Sequence, residues 1–477
     1  MILKKINYDF MILLLGRLVQ VFITLITLRV LTTVLPKSEL GFVYYIITIQ
    51  TFYSLFFINP VGQFFNRNTI SWYEKGSIIN CLRRQFLYII AISISAVVTL
   101  FMASYLSFIN LTFENILLIS FLILALSSNQ TVIPLINMIG KRMAFVNLNL
   151  LTGILSFIFS LSLVCFFSKN SQFWVLGVIV SNLLMSFISF IYLRVIFKKE
   201  SYNLKSINLS YRFYDIISIA KFSVPISIAT LFMWYLNAGY RIQVENNYGL
   251  AYLAVIGIGL SISNQVFNIA ESILTQYMIP GLYKDIEGAS KDKVKFIFNN
   301  YLNVIIPVYL FLAILLSFSI KNILPFLVNE SFSSGYSIII FGAWIEFLRV
   351  VTNALALASQ IERKTSTFIP AYFLGGVFLF ILFEYSPGKE YLVCIKLLLA
   401  NIVVAISMAF MMKKVINFNI SFRKIFKAIL YSIPSSLFFY YAGSFSGLNL
   451  INFTICLIGS VISLFSIIVY WRYNVQP

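Results

Sequence analysis

The chain has 477 residues, of which 60% are hydrophobic and only 11% are charged. Soluble domains carry about 25% charged residues, so this composition excludes a water-soluble enzyme and is typical of an integral membrane protein. Lys and Arg outnumber Asp and Glu by 35 to 16, and there is no histidine. Catalysis or metal binding through imidazole is therefore excluded, and no metal site is expected.

A membrane-spanning helix needs about 20 mostly apolar residues. Fourteen stretches of the chain meet this requirement, which predicts an all-α integral membrane protein with about 14 transmembrane helices. In chain order they cover 9–34, 40–61, 85–109, 115–139, 146–168, 174–197, 217–239, 251–275, 299–320, 336–358, 367–386, 391–412, 427–444 and 449–471. The first stretch is too long for a signal-peptide core and lacks an obvious cleavage site, so we expect it to be retained.

The basic residues alternate with these spans. Twenty-three Lys and Arg side chains fall in the segments of one side and five in those of the other. Basic loops stay in the cytoplasm, so this asymmetry predicts that both termini are cytoplasmic and that the positive charge is a topology signal. Nucleic-acid binding is not expected. The outward loops are mostly short and leave no room for a glycosyltransferase or polymerase domain.

A short motif recurs six spans apart. Gly41–Tyr44 opens the second span, Gly249–Tyr252 opens the eighth, and each follows an arginine near the outer end of the preceding span, Arg29 and Arg241. An even number of intervening spans gives both copies the same orientation. Internal repeats of this kind place substrate sites between the two halves. Chance in a chain so rich in apolar residues is the alternative.

Three predicted spans each carry a narrow polar face, because a helix turns by about 100° per residue. The faces are Arg17, Gln20, Thr24 and Thr27 on span 1; Asn264, Asn268, Glu271 and Thr275 on span 8; and Glu346, Arg349, Asn353 and Gln360 on span 10. Polar residues inside a membrane line a wet cavity or bind across packed helices. We expect three whole faces to line a cavity, whereas helix packing accounts well for any single Asn or Thr.

Arg17 is the most informative of these residues. It lies roughly 12 Å into span 1 with no carboxylate three or four residues away. A central arginine costs about 2.5–3.5 kcal/mol on insertion scales, so a partner must offset it. Glu271 or an anionic ligand are the candidates, and the planar guanidinium suits diphosphate. Glu346 and Arg349 are three residues apart and are expected to pair with each other. Arg29 and Arg241 contact substrate or extend to the interface.

The acidic residues of the first half lie at span ends or in loops. The predicted cavity is therefore cationic and suited to an anion. No cofactor is expected. Whether an H⁺ or Na⁺ gradient supplies energy is left open by the sequence.

Segments 28–44, 247–252 and 280–284 resemble a known family. The run Leu28-Arg-Val-Leu-Thr-Thr-Val-Leu-Pro-Lys-Ser-Glu-Leu-Gly-Phe-Val-Tyr44 resembles the first-loop signature of O-antigen and polysaccharide repeat-unit flippases, and Asn247–Tyr252 and Pro280–Lys284 are similar to its counterparts in the second half. That family shares a superfamily with lipid II flippases and MATE multidrug exporters.

The resemblance implies two six-helix lobes, residues 1–200 and 201–415, in a V around a central cavity, with trailing helices in 416–477. It implies a flippase of the bacterial inner membrane that moves undecaprenyl-pyrophosphate-linked oligosaccharide between leaflets by alternating access, beside membrane lipid and other polysaccharide-assembly proteins. Lipid II flippases have cavity arginines on the first two spans and on span 8. Arg17 matches the first, whereas span 2 has no mid-depth arginine and Arg241 precedes span 8. A MATE-like exporter of drugs or small molecules is the alternative.

Overall fold

The structure is a computed structural model that describes residues 8–74, 78–199, 213–286, 288–362, 364–385, 392–443 and 449–474. In these ranges the regular structure is helical throughout. The α-helices are α1 (Tyr8–Val34), α2 (Lys37–Tyr53), α3 (Asn59–Glu74), α4 (Ile78–Tyr105), α5 (Phe113–Met138), α6 (Arg142–Phe166), α7 (Ser171–Lys199), α8 (Phe213–Trp234), α9 (Tyr240–Ile286), α10 (Lys291–Leu327), α11 (Tyr336–Ile361), α12 (Ile369–Tyr385), α13 (Leu392–Val415), α14 (Phe422–Tyr441) and α15 (Leu450–Asn474).

The predicted all-α membrane fold is confirmed, and the fourteen predicted spans fall on helical structure, the second of them on α2, a π-helical turn and the start of α3. Twelve helical stretches of the described chain are long and apolar enough to cross a membrane. One of them, Ile217–Thr275, contains both the seventh and the eighth predicted spans, while α14 is not among the twelve. Several helices are longer than predicted: α10 runs from 291 to 327, where the apolar stretch covers only 299–320.

The described chain forms two compact units. The first contains the residues up to Thr27 and Val34–Ile242, and the second contains Leu28–Thr33 and the residues from Gln243 onward. Helix α8 packs on α3 and so belongs to the first unit. The predicted lobe boundary between residues 200 and 201 lies outside the described residues and stays a prediction.

Small residues let the helices of the first unit approach closely. A Cβ on Gly16 of α1 would lie 2.4 Å from Cγ1 of Val146 on α6, and one on Gly177 of α7 would lie 2.3 Å from the backbone nitrogen of Ser160. The Ser160 hydroxyl donates to the Trp174 carbonyl at 2.8 Å. Close backbone contact of this kind is how helices pack without a hydrophobic driving force.

Glu39 near the start of α2 caps the start of α7. Its Oε2 accepts from both the backbone N–H and the hydroxyl of Ser171, each at 2.7 Å. The first N–H groups of a helix lack partners within the helix, and a carboxylate at that end also interacts favourably with the helix dipole. Residues 132 positions apart are thereby connected at one end of the first unit.

Helices α2 and α3 are joined by a π-helical turn, Ser54–Ile58. Such a turn disturbs the regular hydrogen-bond ladder, and neighbouring helices donate to the carbonyls of this one. The Thr230 hydroxyl donates to the Leu55 carbonyl at 2.9 Å, and the Tyr88 hydroxyl donates to the Phe57 carbonyl at 2.9 Å. The turn is thus held by α8 on one side and α4 on the other.

Helix α10 is central to the second unit, where it packs on α11, α14 and α15. Asn322 of α10 donates to the Gly443 carbonyl beyond α14 at 2.6 Å. The last part of α1 also packs here: Nη1 of Arg29 donates to the Pro325 carbonyl at 3.1 Å, and Oγ1 of Thr32 accepts from the Asn329 N–H at 3.1 Å. Helix α9 breaks at Gly249, where φ is 79° and ψ is 172°.

Candidate functional site

The polar faces of α9 and α11 bind each other in the second unit. The predicted pair of Glu346 and Arg349 is confirmed, with Nε of Arg349 donating to Oε2 of Glu346 at 2.6 Å. The other carboxylate oxygen of Glu346 accepts from the amide of Asn264 at 3.0 Å. The polar faces of α9 and α11 are therefore in direct contact, through the hydrogen bond from Asn264 to Glu346.

Arg349 also reaches α9 directly. Its Nη1 lies 3.1 Å from Oε2 of Glu271, and its Nη2 donates to Oδ1 of Asn268 at 2.9 Å. Asn353, one turn further along α11, donates to the other oxygen of Glu271 at 3.0 Å. Sequence reasoning offered Glu271 as a counter-ion for Arg17, but its carboxylate is occupied by Arg349 and Asn353, both within the second unit.

The network extends from Asn264 to α12. The Asn268 amide donates to Oδ1 of Asn264 at 2.7 Å, and the Tyr372 hydroxyl of α12 donates to Oδ1 of Asn353 at 3.5 Å. Thr275 turns away from the network and donates to the Glu271 carbonyl of its own helix at 2.6 Å. Tyr372 was absent from the sequence-based site, because a single tyrosine in an apolar run gives no signal.

One guanidinium and two carboxylates give this network a net negative charge when all three groups are ionised. The side chains of Arg349, Glu271 and Glu346 are 19%, 22% and 11% exposed, so the group is partly accessible. This network is anionic, since Arg349 is shared by two carboxylates. The predicted cationic cavity between the two halves stays a prediction.

Arg17 has a different environment on α1 in the first unit. Its Nη1 donates to Oε1 of Gln20 at 2.9 Å, a neutral partner on the same helix. Its Nε is buried with no hydrogen-bond partner among the described residues. Thr24 and Thr27 donate to carbonyls one turn back on their own helix, those of Gln20 and Ile23. The described partner of the guanidinium is thus a neutral amide and not a carboxylate.

The close contact at Gly16 determines how α1 lies in the first unit. A side chain at this position would collide with Val146, and two turns further on Gly153 of α6 faces Ile23 of α1 at 3.6 Å from an added Cβ. The two contacts are seven residues apart on both helices, so α1 and α6 run parallel. Arg17 follows Gly16 directly, and its direction is fixed by this packing.

The two arginines of the repeated motif have local partners. Arg29 donates to the Pro325 carbonyl in the second unit, and the Arg241 guanidinium lies 5.4 Å from the ring centroid of Tyr44 in the first. The glycines of the motif also differ, since Gly41 lies inside α2 whereas Gly249 is where α9 breaks. A substrate role for Arg29 and Arg241 stays a prediction.

No metal cluster was expected, and no group of three or more His, Cys, Asp or Glu side chains in the described part of the chain is arranged to hold a metal ion. The described residues offer two polar sites: the cation Arg17 on α1 and the anionic network between α9 and α11. Neither site contains a nucleophile with an adjacent base.

No protein-family model matches the chain, and no curated protein matches its sequence. Its fold is nevertheless that of known solved structures. The chain is similar to the lipid II flippase MurJ in an inward closed conformation, with a TM-score of 0.71 and 13% identity over 98% of this chain and 99% of that one. It is also similar to a eukaryotic MATE transporter, with a TM-score of 0.56 and 13% identity over 89% of this chain and 96% of that one.

A multidrug resistance MATE transporter in an outward-facing conformation gives a TM-score of 0.56 and 13% identity, over 85% of this chain and 94% of that one. The fold predicted from the resemblance to polysaccharide flippases is therefore confirmed: the chain has the fold shared by a lipid II flippase and MATE transporters.

Proposed function

We propose that this protein is a flippase for undecaprenyl-pyrophosphate-linked oligosaccharide repeat units, which it moves from the cytoplasmic to the periplasmic leaflet of the bacterial inner membrane by alternating access. The observation that carries the proposal is the similarity to the lipid II flippase over 98% of this chain, whereas the two MATE structures cover 89% and 85%. The short outward loops and the lack of histidine favour transport over synthesis of the glycan.

Arg17 is the residue proposed to receive the pyrophosphate. It is a half-buried cation whose described partner is the neutral amide of Gln20, and a buried Nε leaves donor capacity for an anion. A planar guanidinium binds two phosphate oxygens at once, which an ammonium group does not do. Gln20 and Thr24 lie on the same face and would hydrogen-bond the adjoining polar head, while the prenyl chain stays in lipid.

The test is complementation of a host that lacks its own repeat-unit flippase, read out as surface polysaccharide at matched membrane abundance. The wild-type chain is expected to restore polysaccharide, Arg17→Ala to abolish most of it, and Arg17→Lys to retain an intermediate amount. Lys293→Ala is the matched control, because Lys293 is an exposed cation near the start of α10. Undiminished polysaccharide with Arg17→Ala would remove Arg17 from the mechanism, and no rescue by the wild type with the cognate glycan would reject the function.

Export of organic cations is the second candidate function, and the network of the second unit favours it. Glu271 and Glu346 share one arginine, which leaves an excess negative charge in a partly exposed position. Such a site suits a cationic drug better than a diphosphate. This candidate predicts drug resistance on overexpression, loss of that resistance with Glu271→Gln, and no effect on surface polysaccharide.

A further inference from the structure

A cavity of about 540 Å³ lies within the first unit, and Arg17, Gln20 and Thr24 are not among its lining residues. Its walls come from the π-helical turn and α3, from α4 and from α8. They are lined by Phe56, Phe57, Val61, Phe65, Arg84, Leu87, Tyr88, Ile219, Ala220, Ser223, Val224, Ser227 and Ile228. The volume is in the range of small-molecule sites, and ten of these thirteen side chains are apolar or aromatic.

The cavity opens toward the lipid-facing surface. Leu87 on α4 is 54% exposed, and Val224 and Ile228 on α8 are 55% and 47% exposed. These three apolar side chains form the rim. In a helix α8 of regular rise, Ile219 and Ile228 are about 13 Å apart, so the opening follows the direction of the helix for roughly half the hydrocarbon thickness. A hydrocarbon chain fits an opening of this length and polarity.

One end of the cavity is positively charged. Arg84 lines it six residues after the start of α4, about 9 Å along a helix that is about 42 Å long. Because such a helix exceeds the hydrocarbon core by about 12 Å, Arg84 lies near the boundary between headgroups and hydrocarbon. On the predicted topology this is the cytoplasmic boundary, where anionic lipids attract Lys and Arg. Arg67 of α3 lies 6.0 Å from the ring centroid of Phe222, the residue before Ser223.

A buried hydroxyl inside the cavity provides a second, independent indication of a ligand. Ser223 is only 5% exposed, lines the cavity, and its Oγ has no hydrogen-bond partner among the described residues. The neighbouring Ser227 instead donates to the Ser223 carbonyl at 3.1 Å. A buried hydroxyl without a partner costs free energy, and a ligand oxygen would satisfy it.

We propose that this cavity is a binding site for an anionic glycerophospholipid of the cytoplasmic leaflet. Arg84 binds the phosphate, the Ser223 hydroxyl donates to an ester carbonyl, and one acyl chain lies between α4 and α8 against Phe56 and Val61. A polyprenyl phosphate has a phosphate and a chain but no ester carbonyl, so the buried hydroxyl favours the glycerophospholipid. The site is independent of the proposed substrate and of Arg17.

The experiment uses the full-length protein in nanodiscs that contain phosphatidylglycerol with a photoreactive group on one acyl chain. After illumination, labelled positions are read by peptide mass spectrometry. Labelling is expected on α3, α4 and α8 at the lining residues. Unlabelled phosphatidylglycerol should compete severalfold better than phosphatidylethanolamine, because both lipids carry a phosphate but the ammonium group of phosphatidylethanolamine offsets its negative charge beside Arg84.

Arg84→Gln should lower the labelling roughly tenfold, and Arg83→Gln is the matched control. Arg83 is exposed on the same helix and does not line the cavity. Ala220→Trp, at an exposed position of the wall, should fill the cavity and reduce labelling even if Arg84→Gln proves unstable. Ser223→Ala should weaken the advantage of phosphatidylglycerol over a diether analogue that lacks the ester carbonyls.

Three results would each overturn the proposal. The first is labelling spread evenly over the lipid-facing surface, or unaffected by both Arg84→Gln and Ala220→Trp. The second is equal competition by phosphatidylethanolamine, which would show that the net charge of the headgroup does not determine binding. The third is stronger competition by a polyprenyl phosphate than by phosphatidylglycerol, which would assign the cavity to that lipid instead.

Discussion

Nη1 of Arg349 on α11 lies 3.1 Å from Oε2 of Glu271 on α9, while Nε of the same guanidinium lies 2.6 Å from Glu346 on its own helix. Two carboxylates from different helices thus share one cation. Two amides complete the arrangement: Oδ1 of Asn268 accepts from Arg349, and the Asn353 amide donates to Glu271. The balance of charge in this network therefore depends on Arg349.

Replacement of Arg349 should be far more damaging than replacement of either carboxylate. Arg349→Leu leaves Glu271 and Glu346 facing each other without a cation and should lower the free energy of unfolding by about 3 kcal/mol or more. Glu346→Gln keeps the shape and leaves one carboxylate for one guanidinium, so it should cost much less. Thermal unfolding of the purified variants in detergent measures the difference. Equal destabilisation by the two variants would contradict the charge account.

The close contact between α1 and α6 should be repairable by a second substitution. Gly16→Ala places a Cβ 2.4 Å from Val146 Cγ1, and overpacking of this kind costs typically 1–3 kcal/mol. Val146→Ala in the same chain removes the colliding methyl groups and should restore most of the stability. The double variant is compared with both single variants by thermal unfolding. Additive losses in the double variant would show that the two residues do not meet.

The contact at Gly177 should not be repairable in this way. A Cβ there would lie 2.3 Å from the backbone nitrogen of Ser160, and no substitution removes a backbone atom. Gly177→Ala should therefore separate α6 from α7 and reduce the amount of folded protein in the membrane severely. Gly153→Ala is the control on α6, because its Cβ would lie at an ordinary 3.6 Å from Ile23. Normal abundance of Gly177→Ala would refute the packing described.

The break in α9 should be sensitive to backbone strain alone. Gly249 has φ 79° and ψ 172° with no atom within 4 Å of an added Cβ, a conformation that is essentially restricted to glycine. Gly249→Ala should cost about 1–3 kcal/mol without any collision. Gly281 on the same helix is equally open but has ordinary dihedral angles, so Gly281→Ala should be neutral. Thermal unfolding of the pair provides the measurement.

The order of the spans was predictable because each span is a mostly apolar segment and the basic residues alternate in phase with the spans. What hydropathy does not report is where a helix continues past the membrane or bends inside it. The pattern of apolar residues predicts neither the π-helical turn at Ser54–Ile58 nor the extension of α10 to residues 291 and 327. Such features depend on tertiary hydrogen bonds, such as that from Thr230 to Leu55.

The site was predictable only within one helix. The pairing of Glu346 with Arg349 follows from their spacing of three residues, which any helix brings together. The partner of Glu271 depends on which helix packs beside α9, and no periodicity specifies that neighbour. For the same reason the sequence leaves Glu271 and an anionic ligand as alternative partners of Arg17, whereas Glu271 pairs with Arg349 in the structure. The lipid cavity was missed because apolar residues that line a cavity look the same in sequence as those that face the bilayer.

The π-helical turn between α2 and α3 also fixes the phase of everything that follows it. A turn of this type holds one residue more than a regular helix of the same rise. Deleting a single residue from Ser54–Ile58 would therefore restore a regular helix and leave Val61 and Phe65 on the same face. Deleting one residue from the regular turns of α2 would instead rotate both side chains around the helix axis by about 100°. The wall that these two side chains form would then point elsewhere, so that a shortening by one residue would erase a pocket without changing any residue that lines it.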